Sequence, residues 1–107
     1  MARVIWAPQA LADLEAIGDF IAREAPRYAQ MLTDGVFKAV ERLEIFPHSG
    51  RVVPEIGDES IREILYRGYR ILHIISGEEG SEDVKILTVF HSSMPFGGES
   101  DLPRGEG

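Results

Sequence analysis

Four arginines crowd one stretch of this 107-residue chain. Residues 47–55 read PHSGRVVPE and residues 61–75 read IREILYRGYRILHII, which places Arg51, Arg62, Arg67 and Arg70 within a span that is otherwise strongly apolar. A guanidinium stays charged at any physiological pH and presents five N–H donors, so it is a costly occupant of a short apolar strand. Arg62 and Arg70 lie inside the apolar runs rather than at their ends. Each must meet an internal carboxylate, a partner protein or a phosphate. Arg51, in a polar loop, either caps the end of a preceding helix or reaches a target.

The elements that must hold these residues follow from periodicity. Arg3 to Trp6 is β-favouring, and Pro8 suits a first helical turn. Leu11, Leu14, Ile17 and Ile21 recur at helical spacing, Ala25-Pro26 interrupts them, and Leu32, Val36, Ala39, Val40, Leu43 and Phe46 resume. Pro47 and Gly50 end the second helix. Ile61–Tyr66, Tyr69–Ser76 and Val84–His91 then read as three strands. The order β-α-α-β-β-β predicts an α+β domain: an N-terminal strand, an αα-hairpin and a three-stranded antiparallel meander forming one small sheet covered by the two helices.

Arg67-Gly68 is a plausible two-residue turn, which sets Leu65 opposite Arg70 and Ile64 opposite Ile71. Side-chain alternation then puts Arg62 and Arg70 on opposite faces of the sheet, where they form no common phosphate clamp. For both, internal pairing, with Glu63, Glu55 or Asp19 as candidate carboxylates, competes with target contact. His91 ends a strand, where it is either a proton-transfer group or a histidine bonded to backbone at a sheet edge. The spacing of His48, His73 and His91 holds no metal-site pattern, and no cofactor motif is present.

The formal net charge of −7 is unevenly spread. Residues 1–75 carry nine cations and eleven acids, whereas residues 76–107 carry seven acids against Lys85 and Arg104. The body is therefore close to neutral, which argues against general polyanion binding. The chain has no cysteine, which excludes disulfides and thiolate metal sites. No apolar run approaches the roughly 20 residues of a membrane span, and a cytoplasmic address is expected. Beyond Ser93 the sequence MPFGGESDLPRGEG lacks periodicity, and residues 1–92 are expected to form the domain and 93–107 a disordered acidic tail.

Taken in order, VIWAPQALADLEAI, FPHSGR, IREI, GYRILHII and VKILTVFH resemble the RelE/ParE superfamily of toxins from bacterial type II toxin–antitoxin systems, over about residues 2–92. The P-x-x-G-R and Y-R-I elements are closest to the ParE branch. That resemblance implies a toxin neutralised by a cognate ParD-like antitoxin in a hetero-oligomer, acting on DNA gyrase by binding. Arg51, Arg62 and Arg70 become candidate target contacts, and Leu11, Leu14, Ile21, Leu32 and Val36 candidate antitoxin contacts. The alternative is a ribosome-dependent endoribonuclease cutting mRNA. In the lysine-based form of that chemistry the basic set is missing, because the chain has only Lys38 and Lys85. In the YoeB-like form, Arg70, His91 and Glu55 fall at matching positions, but Ser92 stands where an aromatic is expected. A degenerate member that binds antitoxin without toxicity is a third reading.

Overall fold

The computed structural model describes residues 1–103. Five strands and two helices follow in the order β1 (Arg3–Trp6), α1 (Pro8–Ala22), α2 (Pro26–Glu41), β2 (Arg51–Val52), β3 (Ile61–Tyr66), β4 (Tyr69–Ser76) and β5 (Asp83–His91). Single 3₁₀ turns occupy Arg42–Glu44 and Glu99–Asp101. The expected α+β class holds, and β2 is a strand beyond the expected order, in what reads from sequence as a loop. Each helix begins with a proline in its first turn, where the missing N–H costs nothing. The helices touch closely at Gly18, where a Cβ would stand 3.1 Å from Thr33 Cγ2.

The sheet is wider than the expected meander. Its order is β1-β5-β4-β3-β2, with β1 parallel to β5 and the other pairs antiparallel. The hairpin register is the one the Arg67-Gly68 turn dictates, Leu65 against Arg70 and Ile64 against Ile71. Both turn residues take positive φ, 48° and 85°, as a type I′ turn requires. Arg62 and Arg70 accordingly lie on opposite faces.

One face packs on the helices through Leu14, Val36, Val40, Leu43, Ile64, Ile71, Val84, Ile86 and Val89. Gly35 of α2 leaves room there for the Tyr66 hydroxyl, which a Cβ would overlap. The second face has its own small core, Val53, Ile61 and Leu72, roofed by Ile56, Phe90, Phe96 and Leu102. Phe96 and Leu102 belong to the segment expected to be disordered. Within 93–103, Phe96 stacks on Phe90 with ring centroids 5.2 Å apart and Gly98 lies against the Glu55 carbonyl. The aromatic and leucine supply apolar area that the composition of the tail as a whole concealed. Residues 104–107 lie outside the described residues.

A β-bulge in β5 decides which side chains share a face. Leu72 pairs with Thr88 and His73 with Ile86, so Leu87 has no partner on β4. Unbroken alternation from Val84 would turn His91 toward Arg70. The extra residue instead lets Val84, Ile86 and Val89 all meet the helices and places Phe90 opposite Arg70 and His91 opposite Tyr69. Past the end of β1, Asp13 closes the free edge of β5 by accepting the Val89 N–H at 3.2 Å and the Thr88 hydroxyl.

Candidate functional site

Arg70 is the centre of a charge network on the second face. Its Nε donates to Glu63 Oε1 at 2.6 Å, while Nη1 and Nη2 form a fork on the two oxygens of Glu55 at 2.8 and 2.7 Å. Arg51 completes the group through Nε to Glu63 Oε2 at 2.7 Å. Two guanidiniums thus face two carboxylates. Glu63 and Arg70 are buried, and the Arg70 guanidinium lies 5.4 Å from the Phe90 ring centroid and 5.3 Å from that of Phe96. Burial in this form is tolerable only because every partner is present.

The electrostatics follow from the pairing. The hydrogen bonds from Arg70 are the largest influence on Glu55, which is held down at about 2 from its ordinary 4.5. Glu55 and Glu63 in turn raise Arg70 above its ordinary value against the effect of burial. A carboxylate so stabilised is a poor proton acceptor near neutral pH. Arg70 is also a poor phosphate ligand here, because its Nε, Nη1 and Nη2 are already engaged by carboxylates. Of the three internal partners anticipated for these arginines, Glu63 and Glu55 are used and Asp19 is not among them.

Arg62 is held differently. Its Nε donates to the Glu59 carbonyl at 2.8 Å and its Nη1 to the carbonyls of Gly50 and His48 at 3.0 and 3.3 Å. It ties the loop after α2 to the start of β3. Arg51 bonds Glu63 through Nε alone rather than capping a helix, and its side chain is 55% exposed. Arg67 reaches the Tyr66 hydroxyl at 3.3 Å at the exposed hairpin tip.

His91 is exposed and its Nδ1 accepts the Ser93 N–H at 3.0 Å, leaving Nε2 beside Gly68. Its ring meets Tyr69 edge-on at 5.1 Å. It lies across the sheet from Arg70 and Glu55, so these three residues do not converge on one scissile bond. His73, on the helix-packed side, is wholly buried with neither ring nitrogen hydrogen-bonded. Burial lowers it to about 4; Arg62 and Arg42 push the same way, against the Ile71 backbone and the Glu63 carboxylate. Nothing in its sequence setting distinguished it from an ordinary strand residue.

The apolar candidates also separate. Leu14, Leu32 and Val36 are core residues, at 3%, 0% and 1% exposure. Leu14 and Val36 belong to the core that packs the helices on the sheet. Leu11 is exposed and Ile21 half-buried, and Phe20, Met31 and Phe37 add exposed apolar area on the same hairpin. A groove of about 930 Å³ runs between α1 and the tail, lined by Phe20, Tyr69, His91, Met94 and Phe96 among others. Among the described residues no three His, Asp or Glu side chains are placed to hold a metal ion, and no helix is long and apolar enough to cross a membrane.

The sequence model of the family described as "ParE toxin of type II toxin-antitoxin system, parDE" matches residues 4–96. The chain belongs to this ParE toxin family. Among individual relatives, Toxin RelE2 of Caulobacter vibrioides is 40% identical over 52 residues, which span 49% of this chain and 59% of that protein. The match thus spans less than two thirds of that relative. Among solved structures, a chain of the chromosomal ParDE TA system from P. aeruginosa is similar with a TM-score of 0.69 and 22% identity, covering 85% of this chain and 96% of that one. The YoeB/ParE toxin from Agrobacterium tumefaciens is similar with a TM-score of 0.56 and 15% identity, over 83% of this chain and 97% of that one. These structural likenesses establish a ParE-like fold.

Proposed function

We propose that this ParE-family toxin poisons DNA gyrase by binding, without acid–base chemistry of its own, and is neutralised by a ParD-like antitoxin with which it forms a hetero-oligomer in the cytoplasm. The observation that carries the choice between binding and cleavage is the β5 bulge. It separates His91 from Arg70 and Glu55, while the Arg70 network occupies the donors that RNA cleavage would require. RNA cleavage through the 2′-hydroxyl needs a base, an acid and phosphate-facing cations within reach of one bond. Arg51 is the target-contact candidate that this arrangement favours, since it is anchored to Glu63 through Nε and its side chain is exposed. On the antitoxin side, Leu11, Ile21, Phe20, Met31 and Phe37 offer the apolar surface of the hairpin.

The purified toxin should stabilise cleaved plasmid DNA on gyrase and leave mRNA intact in a translating extract. His91→Gln should retain that activity, and Arg51→Ala should reduce it at least several-fold without unfolding the chain. Rapid mRNA cleavage lost in His91→Gln would overturn the proposal in favour of the nuclease.

A further inference from the structure

A second groove, sharing no residue with the one beside α1, lies at the opposite end of β4 and β5. It is an open trough of about 900 Å³ between the loop that follows α2, the start of β3 and the β4–β5 turn. Its apolar wall is Ile45 and Phe46, each 63% exposed, with Ile75 behind them. Adjacent large apolar side chains so open to water are unusual on a small domain when they share a concave surface. The fold itself presents them: the Arg42–Glu44 turn ends α2, and the Ser49 N–H bonds back to the Phe46 carbonyl at 3.0 Å, holding this segment as a defined turn.

The rim is acidic. Glu44, Glu59, Glu79 and Glu82 line the trough, against one arginine, Arg62, which is committed to three backbone carbonyls. Glu82 receives His48 at 3.6 Å, whereas the Glu44, Glu59 and Glu79 side chains make no ion pair among the described residues.

We propose that this trough docks a basic amphipathic helix of a partner protein. Its apolar side chains would pack on Ile45 and Phe46, and flanking Lys or Arg would meet Glu44, Glu59 and Glu79. The charge pattern selects this occupant. Carboxylates repel the phosphates of nucleic acid or an anionic membrane. A second copy related by a two-fold axis would bring two acidic rims together. Apolar anchors flanked by cations satisfy both halves of the surface, in the helix-in-groove mode. The site is independent of the gyrase reading, because it uses neither Arg51 nor the α1 groove.

The test uses the full ¹⁵N-labelled chain and a synthetic peptide of about 18 residues, helical, with Leu at i, i+4, i+7 and i+11 and Lys on its flanks. Two controls accompany it, one with Glu in place of Lys and one of scrambled order. The lysine peptide should shift the amides of Ala2, Ile45, Phe46 and Gly77, and the controls should bind at least tenfold more weakly. Phe46→Ala should weaken binding at least tenfold. The exposed pair Glu59→Gln and Glu79→Gln should weaken it several-fold and flatten its salt dependence, and both variants should keep the dispersed amide spectrum of the folded chain. Equal binding of the glutamate or scrambled peptide would overturn the proposal. So would shifts confined to the α1 groove, no binding, indifference to Phe46→Ala, or a dimer of the free chain that Phe46→Ala dissociates.

Discussion

Acid should destabilise this toxin well before its carboxylates titrate, and His73 is the reason. The ring is buried in the sheet with both nitrogens unbonded and is held at about 4, against an ordinary 6.5. In the unfolded chain it takes a proton as the pH falls through 6.5; in the native state it refuses one until about 4. Its contribution is therefore fully present above pH 6.5 and is lost progressively on the way down to 4. At 1.36 kcal/mol per pH unit the full gap is worth about 3 kcal/mol, of which about 2 kcal/mol should disappear between about pH 7 and pH 5. The perturbation is His73→Leu, which fills a similar volume with no polar atom. Urea unfolding of both proteins at pH 7 and pH 5 reads the difference, since small domains of this size usually unfold in one step. The native protein should lose about 2 kcal/mol more than the variant on acidification. Equal losses in the two proteins would refute the argument, as would a His73 ring titrating above pH 6 by NMR in the folded chain.

The charge network gives a second expectation: Arg70→Met leaves Glu63 buried without its main partner and should cost about 3–5 kcal/mol in urea unfolding at pH 7. A cost below about 1 kcal/mol would mean the network tolerates its own removal. Phe96→Ala should lower stability by about 1–2 kcal/mol, less than a full core truncation because the ring is half-buried. Calorimetry of that variant checks it, and an unchanged melting temperature would mean that the tail adds nothing to the second core.

Much of the fold could be read from the chain because local signals agree with one another. Pro8 and Pro26 mark helix starts, Arg67-Gly68 fixes a hairpin register, and alternation from that turn correctly parts Arg62 from Arg70. The pairing of Arg70 with Glu63 and Glu55 was likewise among the stated options. What escaped was non-local or irregular. No short-range signal says that β1 runs parallel to β5 at the far edge of the sheet, or that Arg51–Val52 pairs with β3. The bulge at Leu87 is a single residue in an apolar run, yet it reverses the face of everything after it and parts His91 from Arg70. Leu14, Leu32 and Val36 fit a partner surface and a core equally well by periodicity, and only the position of the sheet divides them. In the tail, glycine, proline and acids dominate the composition, while Phe96 and Leu102 are the residues that pack against the second core.

The parallel β1–β5 pair also bears on when the toxin comes into being. Arg3 and Asp83, joined by a salt bridge of 3.1 Å at the start of that pair, are 80 residues apart. At about 5–20 residues per second, a ribosome needs about 4–16 s to make the second after the first. Throughout that interval the first strand has no partner, and α1 lacks β5, the strand it packs on. Folding must close the longest loop in the chain at its end, which makes the final step slow and non-local. A nascent chain therefore carries exposed helices well before it carries a finished sheet. On the antitoxin reading, a partner that recognises the hairpin could meet its target while the toxin is still being assembled.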